Sequence, residues 1–227
     1  MHTTPTKIDA TTIPDAWFQL ISRIVGTGNH TTVQHGSFVG ESRLEFYHIT
    51  THITHPYSEP WDTMLPEIPA HMNIPNPVAA GYIEQYLPYL MTEEKADGEA
   101  YTYGSRIWMQ VPYTAQLLNS TPNTNQAILQ VAQPSDTTLA DPPCLRHIDI
   151  RVLDGVLHFF PYFRSWDLWA GFPANLAAIA ILQKYMADEI GVECGNITAT
   201  SKGLHIYGYV EEMAKIRVGK AGGEIAE

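Results

Sequence analysis

The sequence predicts a single α+β domain, and three observations carry that reading. Residues 173–190 hold apolar side chains almost all round over 176–182, the pattern of a central, buried helix. Asp154-Gly155 stands between two apolar, β-rich runs, 148–153 and 156–163, which is a strong hairpin signal. No internal repeat and no linker divides the 227 residues, which suffice for one large core.

The remaining elements follow in order. Residues 1–14 are polar, carry Pro5 and Pro14, and predict a loose arm. Asp15 is placed to cap a helix over 16–25, ended by Gly26 and Gly28. Trp17, Leu20, Ile21 and Ile24 recur at helical spacing, so one face is expected inside. Residues 42–53 are β-branched and read as one or two strands. Pro56, Pro60, Pro66, Pro69, Pro75 and Pro77 exclude a continuous helix or inner strand and predict an ordered surface loop beside a site. Helices are expected from Val78 to about Met91 and from about Tyr113 to Leu118, with a short strand over 127–133. Gly191 ends the central helix, 203–210 reads as a strand, and 218–227 as a frayed acidic tail.

Composition narrows the function. Acidic residues outnumber basic ones 24 to 13, a net charge of −11. Such a surface does not suit free nucleic acid, although a few local arginines can hold a small anion. Two cysteines make no disulfide framework. No apolar run approaches the ~20 residues of a membrane span, and the N-terminus lacks a signal-peptide core. A reducing, cytoplasmic setting without a membrane partner is the expectation.

Four features carry possible chemistry. His48, His52 and His55 invite a metal reading, but on a strand residues four apart lie about 13 Å apart. No acidic or cysteine ligand accompanies them at zinc spacing, so no metal site is expected. Cys144 follows Asp141-Pro-Pro143, a stiff extended lead-in to a strand. A nucleophilic thiolate needs a nearby cation, and Arg146, Arg151 and Arg164 are available; a lone cysteine also serves as a small buried hydrophobe. The run 162–175 places Arg164 and Ser165 for phosphate, Asp167 to orient Arg164 or the loop, and Asn175 to read an imide edge. The same run suits a plain turn into a core helix. His205 and Tyr207 share a strand face and suit a sugar hydroxyl or simple aromatic packing.

In this order, Pro-Pro-Cys144, Arg164-Ser165-x-Asp167, Gly171-x-Pro173-x-Asn175 and His205-x-Tyr207 resemble the thymidylate synthase and pyrimidine hydroxymethylase superfamily. The match spans about residues 101–210, and Tyr103-Gly104 resembles the family's Tyr-Gly. The short length and divergent first third look most like the methanogen-type archaeal branch. The resemblance implies a mixed sheet covered by helices on one face, with the other face packed in a homodimer. It implies dUMP as substrate and a reduced pterin as donor: 5,10-methylenetetrahydrofolate or a tetrahydromethanopterin-type analogue. Cys144 would be the nucleophile, Arg164 and Ser165 would bind phosphate, and Asp167 would lie near the pterin. Asn175 would read uracil, and His205 and Tyr207 would hold the 3′-hydroxyl. Tyr103 would add a substrate contact. Glu84 is the choice for the catalytic glutamate, with Glu59 and Glu67 as rivals.

The chain departs from the family pattern in places. The paired phosphate arginines appear as Asn125-Gln126, and the histidine after the cysteine is Leu145. The N-terminal arginine loop is Gly26-Thr-Gly-Asn-His30, and the C-terminal Pro-Val lid is missing. An open site admits water, so a pyrimidine-nucleotide 5-hydroxymethylase is an alternative, as is a catalytically idle nucleotide-binding relative.

Overall fold

The computed structural model describes residues 4–36 and 38–220. In chain order it runs β1 (Thr6–Ala10), α1 (Ile13–Thr27), β2 (Asn29–Thr32), β3 (Ser42–Phe46) and β4 (Ile49–Ile53). The Pro-rich stretch follows, with two short 3-10 turns, then α2 (Tyr82–Met91), α3 (Gly104–Ile107), α4 (Val111–Ser120) and β5 (Ile128–Gln130). After another 3-10 turn come β6 (Leu145–Leu153), β7 (Val156–Phe163), β8 (Trp166–Asp167), α5 (Gly171–Ile190), β9 (Glu193–Ser201), β10 (Leu204–Tyr207) and α6 (Gly208–Arg217).

The strands form a six-stranded mixed sheet, β1-β4-β9-β7-β6-β5, and a four-stranded sheet, β2-β3-β10-β8. The α+β expectation holds; the second sheet was not foreseen. The hairpin β6–β7 pairs from Leu145 opposite Phe163 to Leu153 opposite Val156. Asp154 and Gly155 both adopt positive φ, 50° and 78°, the turn that matches the strands' own twist. Helix α5 is the core's axis: its residues 176–180 and Leu182 are buried against β7, β8 and β9. Gly191, at φ 77°, ends it in the left-handed region.

Residues alternate between buried and half-buried along β4 and β7 and over the last five of β9, and β6 follows the same period from Ile148 with Asp149 exposed. Ile148, Phe159 and Ile197 turn into the core, whereas His52, His147, Phe160, Tyr162, Thr198 and Thr200 form the opposite set. That period of two is what a sheet with one packed face requires.

Several local expectations are corrected. Residues 6–10 of the expected loose arm form β1, which pairs in parallel with β4. Thr12, not Asp15, caps α1: its hydroxyl accepts from the Asp15 amide at 3.3 Å, while the Asp15 carboxylate accepts from Thr11 at 2.8 Å. Gly81, at φ 74°, delays α2 to Tyr82 instead of Val78. The helix expected at Tyr113 begins at Val111, with Pro112 in its first turn, and α3 precedes it. The strand expected over 203–210 stops at Tyr207, and α6 begins at Gly208, where a Cβ would lie 2.3 Å from the Ser42 hydroxyl. Of the expected tail, 218–220 close the end of α6 through amides that reach back to Ala214, Ile216 and Lys215; 221–227 lie outside the described residues.

Candidate active site

Cys144 sits on the last residue before β6, at the end of the stiff Asp141-Pro-Pro turn. Arg164 sits just beyond β7, so the ends of one hairpin bring the two together, and the Arg164 amide donates to the Cys144 carbonyl at 2.8 Å. A bulge between Leu145 and His147 lets Leu145 enter the core while Arg146 turns to the surface. Cys144, Arg164, Ser165 and Tyr207 line one cavity of about 480 Å³, together with Arg43 and His35.

The thiol's electrostatics are balanced. Burial pushes its pKa up, Arg164 and Arg146 pull it down, and Asp141 pushes it up again; the net direction is up. Asp141 also holds the cation. Arg164 Nη2 donates to the Asp141 carboxylate at 3.1 Å, and Nε donates to the Pro142 and Pro143 carbonyls at 3.2 Å each. The guanidinium thus braces the turn that carries the cysteine, with its charge partly neutralised.

The opposite wall of that turn is anchored by a buried ion pair. Asp136, 1% exposed, accepts from Arg106 at 2.9 Å and from the Gln133 amide at 2.8 Å, with Arg146 at 3.9 Å. Burial alone would raise its carboxyl; the Gln133 amide and the two arginines more than reverse this and hold it below the ordinary carboxylate range.

Asp167 lies in β8, opposite His205 across a parallel pair. Its carboxylate accepts from the amides of Trp169, Ala170 and Gly171 at 3.1, 3.0 and 2.9 Å, which caps the start of α5. Asn175, in the first turns of that helix, accepts from Trp166 Nε1 at 3.0 Å and donates to the Tyr86 hydroxyl at 2.8 Å. It lines a second cavity, of about 230 Å³, with Pro77, Val78, Tyr82, Gly171 and Ala174.

His205 is 2% exposed. Its Nδ1 lies 2.9 Å from the Gly203 carbonyl, an acceptor only, so Nδ1 carries the proton. Burial lowers the ring's pKa and keeps it neutral, and Nε2 is a buried acceptor with no partner among the described residues. Tyr207 meets that ring edge-on at 4.7 Å. Tyr103 is buried, and its hydroxyl accepts from the Leu145 amide at 3.4 Å, next to the cysteine.

The structure therefore gathers Cys144, Arg164, Ser165 and Tyr207 around one cavity, with Tyr103 and His205 adjoining, and puts Asp167 and Asn175 at the head of α5. Glu84 is not brought in: it is exposed on α2 and lines neither cavity. Its helix turns Ile83 and Leu90 inward instead. Glu59 and Glu67 are exposed too, and Glu59 accepts from the Tyr57 hydroxyl. Cys194 lies in β9, half-buried, and burial pushes its thiol up to about 11. Sequence reasoning missed the tyrosine ladder Tyr82–Tyr86–Tyr89–Tyr103, with ring centroids 6.1, 5.7 and 5.2 Å apart. The one local signal was the recurrence of Tyr82, Tyr86 and Tyr89 on a single helical face.

Comparison with known proteins places the chain beside one family. A family model described as thymidylate synthase matches residues 73–222. A Methanosarcina barkeri protein named "putative thymidylate synthase" is 30% identical over 217 residues, 92% of each chain. One of the same name from Methanococcoides burtonii is 32% identical over 209 residues, 88% of each. The thymidylate synthase of Listeria monocytogenes is 33% identical over 101 residues, 44% of this chain and 32% of that one.

Proposed function

The chain belongs to the thymidylate synthase family, and we propose that it catalyses reductive methylation of dUMP to dTMP, with Cys144 as nucleophile. The observation that carries the proposal is the convergence of Cys144, Arg164, Ser165 and Tyr207 on one cavity. Phosphate binds Arg164 and Ser165, and Arg43 supplies a further cation on the same wall. Binding draws Arg164 away from Asp141 and toward the anion. The guanidinium stays beside the thiol, where its positive charge favours the ionised form.

The thiolate adds to C6 of the uracil ring, forming an S–C6 bond. The C5–C6 electron pair moves to C5 and O4, where the Asn175 amide holds the O4 and N3 edge. The deoxyribose 3′-hydroxyl donates to Nε2 of His205, a buried acceptor without a partner among the described residues, and the neutral ring supports that role. Tyr207 closes the same side of the cavity. C5 takes up the one-carbon unit and gives its proton to solvent; when the cysteine leaves, the S–C6 pair returns to sulfur and the C5–C6 double bond is restored.

The 230 Å³ cavity fits a reduced pterin. Its walls are apolar apart from Asn175, Tyr82 offers a ring face, and the Asp167 carboxylate lies behind Gly171, where a Cβ would come 3.3 Å from Asp167. A bound methylene tetrahydropterin supplies the one-carbon unit and the hydride. Tyr82 and Ala174 would flank it, and Asp167 would keep the helix start that borders it in place. A folate and a methanopterin analogue both satisfy this chemistry.

A homodimer accords with the half-buried face of the large sheet. His52, Phe160, Tyr162, Thr198 and Thr200 are mostly uncharged, as an interface between two copies requires.

Intact-protein mass spectrometry with 5-fluoro-dUMP tests the mechanism, with and without methylene tetrahydrofolate or a methanopterin extract. A covalent ternary adduct that maps to Cys144 and disappears in Cys144→Ala is the expected result. No adduct with any donor would overturn the assignment in favour of an idle nucleotide binder. A hydroxymethyl instead of a methyl on the product base would reassign the reaction.

A further inference from the structure

We infer that Trp166 is a specificity-determining positioning residue: its indole N–H fixes which way round the Asn175 amide lies, and so which pyrimidine edge is accepted. The inference rests on the nucleotide-binding role proposed above for Asn175.

An asparagine amide has two nearly isosteric orientations, and its partners decide between them. Trp166 Nε1 lies 3.0 Å from the amide. An indole N–H donates and never accepts, so the amide atom facing it must be Oδ1. The indole itself has little freedom to turn. It is 3% exposed, stacks on Phe163 at 3.9 Å with a 5° interplanar angle, and packs on Phe172 at 4.7 Å. At the other end Nδ2 lies 2.8 Å from the Tyr86 hydroxyl. A phenol both donates and accepts, so Tyr86 serves either orientation and selects neither. Among the described residues, the directional information comes from Trp166.

Each end of the amide uses one hydrogen-bonding position on the protein and keeps one. Oδ1 retains a lone pair and Nδ2 retains a proton. The edge left over is one acceptor beside one donor. That edge complements a ring N–H next to a carbonyl, as on N3 and O4 of uracil. The reversed amide would complement a bare ring nitrogen next to an amino group, as on cytosine. A base of the wrong type sets donor against donor and acceptor against acceptor, which sites built on hydrogen bonds reject strongly.

The test is calorimetric titration of dUMP and dCMP, without pterin, into the full chain. Three variants are compared with wild type: Trp166→Phe, Tyr86→Phe, and a protein carrying 3-benzothienylalanine at 166. The last keeps the bicyclic shape and lacks the N–H, so it guards against a Trp166→Phe protein that fails to fold. Wild type and Tyr86→Phe are expected to prefer dUMP. Loss of the indole N–H is expected to cut the dUMP-to-dCMP affinity ratio by about tenfold or more, chiefly through a gain in dCMP binding. An unchanged ratio in the benzothienyl protein would overturn the inference and leave the nucleotide site standing. So would an equal loss of preference in Tyr86→Phe. Wild-type protein that binds neither nucleotide would overturn the proposed function and this inference together.

Discussion

Asp136→Asn should unfold the wall of the Cys144 cavity before it touches the chemistry. The substitution keeps the shape and removes the charge. A carboxylate has two equivalent oxygens, and here one takes the Arg106 guanidinium at 2.9 Å and the other the Gln133 amide at 2.8 Å. An amide has a single oxygen, so one of these donors is left facing an NH₂ group. Arg106 is itself nearly buried, 11% exposed at its side chain, and its Nη1 already lacks a partner among the described residues. Leaving such a cation without its counter-charge costs about 3–5 kcal/mol. The lower end applies here, because Arg106 also rests over the Tyr101 ring at 5.5 Å. About 3 kcal/mol in a chain of this size lowers Tm by roughly 6–12 °C. Thermal unfolding followed by circular dichroism measures it, and the double variant with Arg106→Met should recover about 1–3 kcal/mol through the coupling. The same pair predicts a pH dependence. The folded carboxyl titrates below its unfolded value, so its contribution is complete above the unfolded pKa. It is lost as pH falls through the still lower folded value. A loss under about 1 kcal/mol, or strictly additive single variants, would refute the reasoning.

Asp167→Ala removes the acceptor for three amides at the start of α5, and a fall of about 2 kcal/mol in urea-denaturation stability is expected. Asp141→Asn frees Arg164 and removes the carboxylate that raises the Cys144 thiol. The iodoacetamide reaction of the ligand-free protein should therefore shift to lower pH; an unmoved profile counts against the tie between Asp141 and the thiol.

Local signals were legible in the sequence, and partnerships across the chain were not. The Asp154-Gly155 turn and the apolar length of 176–182 declare themselves within a few residues, because dihedral preference and periodicity are local properties. Strand β9, ECGNITATS, is polar on one side and carries no turn signal; it is a strand because β4 and β7 hold it from both edges. Strand β1 exists for a similar reason, through a partner some forty residues downstream. At the site, Cys144, Arg164 and Asn175 stood out by residue type and spacing. The contacts that give them direction did not: Tyr86 is 89 positions from Asn175, and no periodicity links them. The glutamate turns on a related distinction. Glu84 lies in a helix with a buried face, but its own position on that helix points to solvent.

The hairpin that brings Cys144 and Arg164 together has its closed end far from both. Nine residues of β6 separate the cysteine from Asp154, a span of about 30 Å. The two-residue turn acts there as a gauge for the whole ribbon: its length sets which rung faces which, down to the open end. One residue inserted at the turn would slide one arm past the other and reverse the facing of its side chains. Thiol and guanidinium would part with neither of them altered. Lesions at 154 and 155 would then pass for active-site lesions in a screen of activity, although they act by miscounting rungs at the opposite end of the molecule.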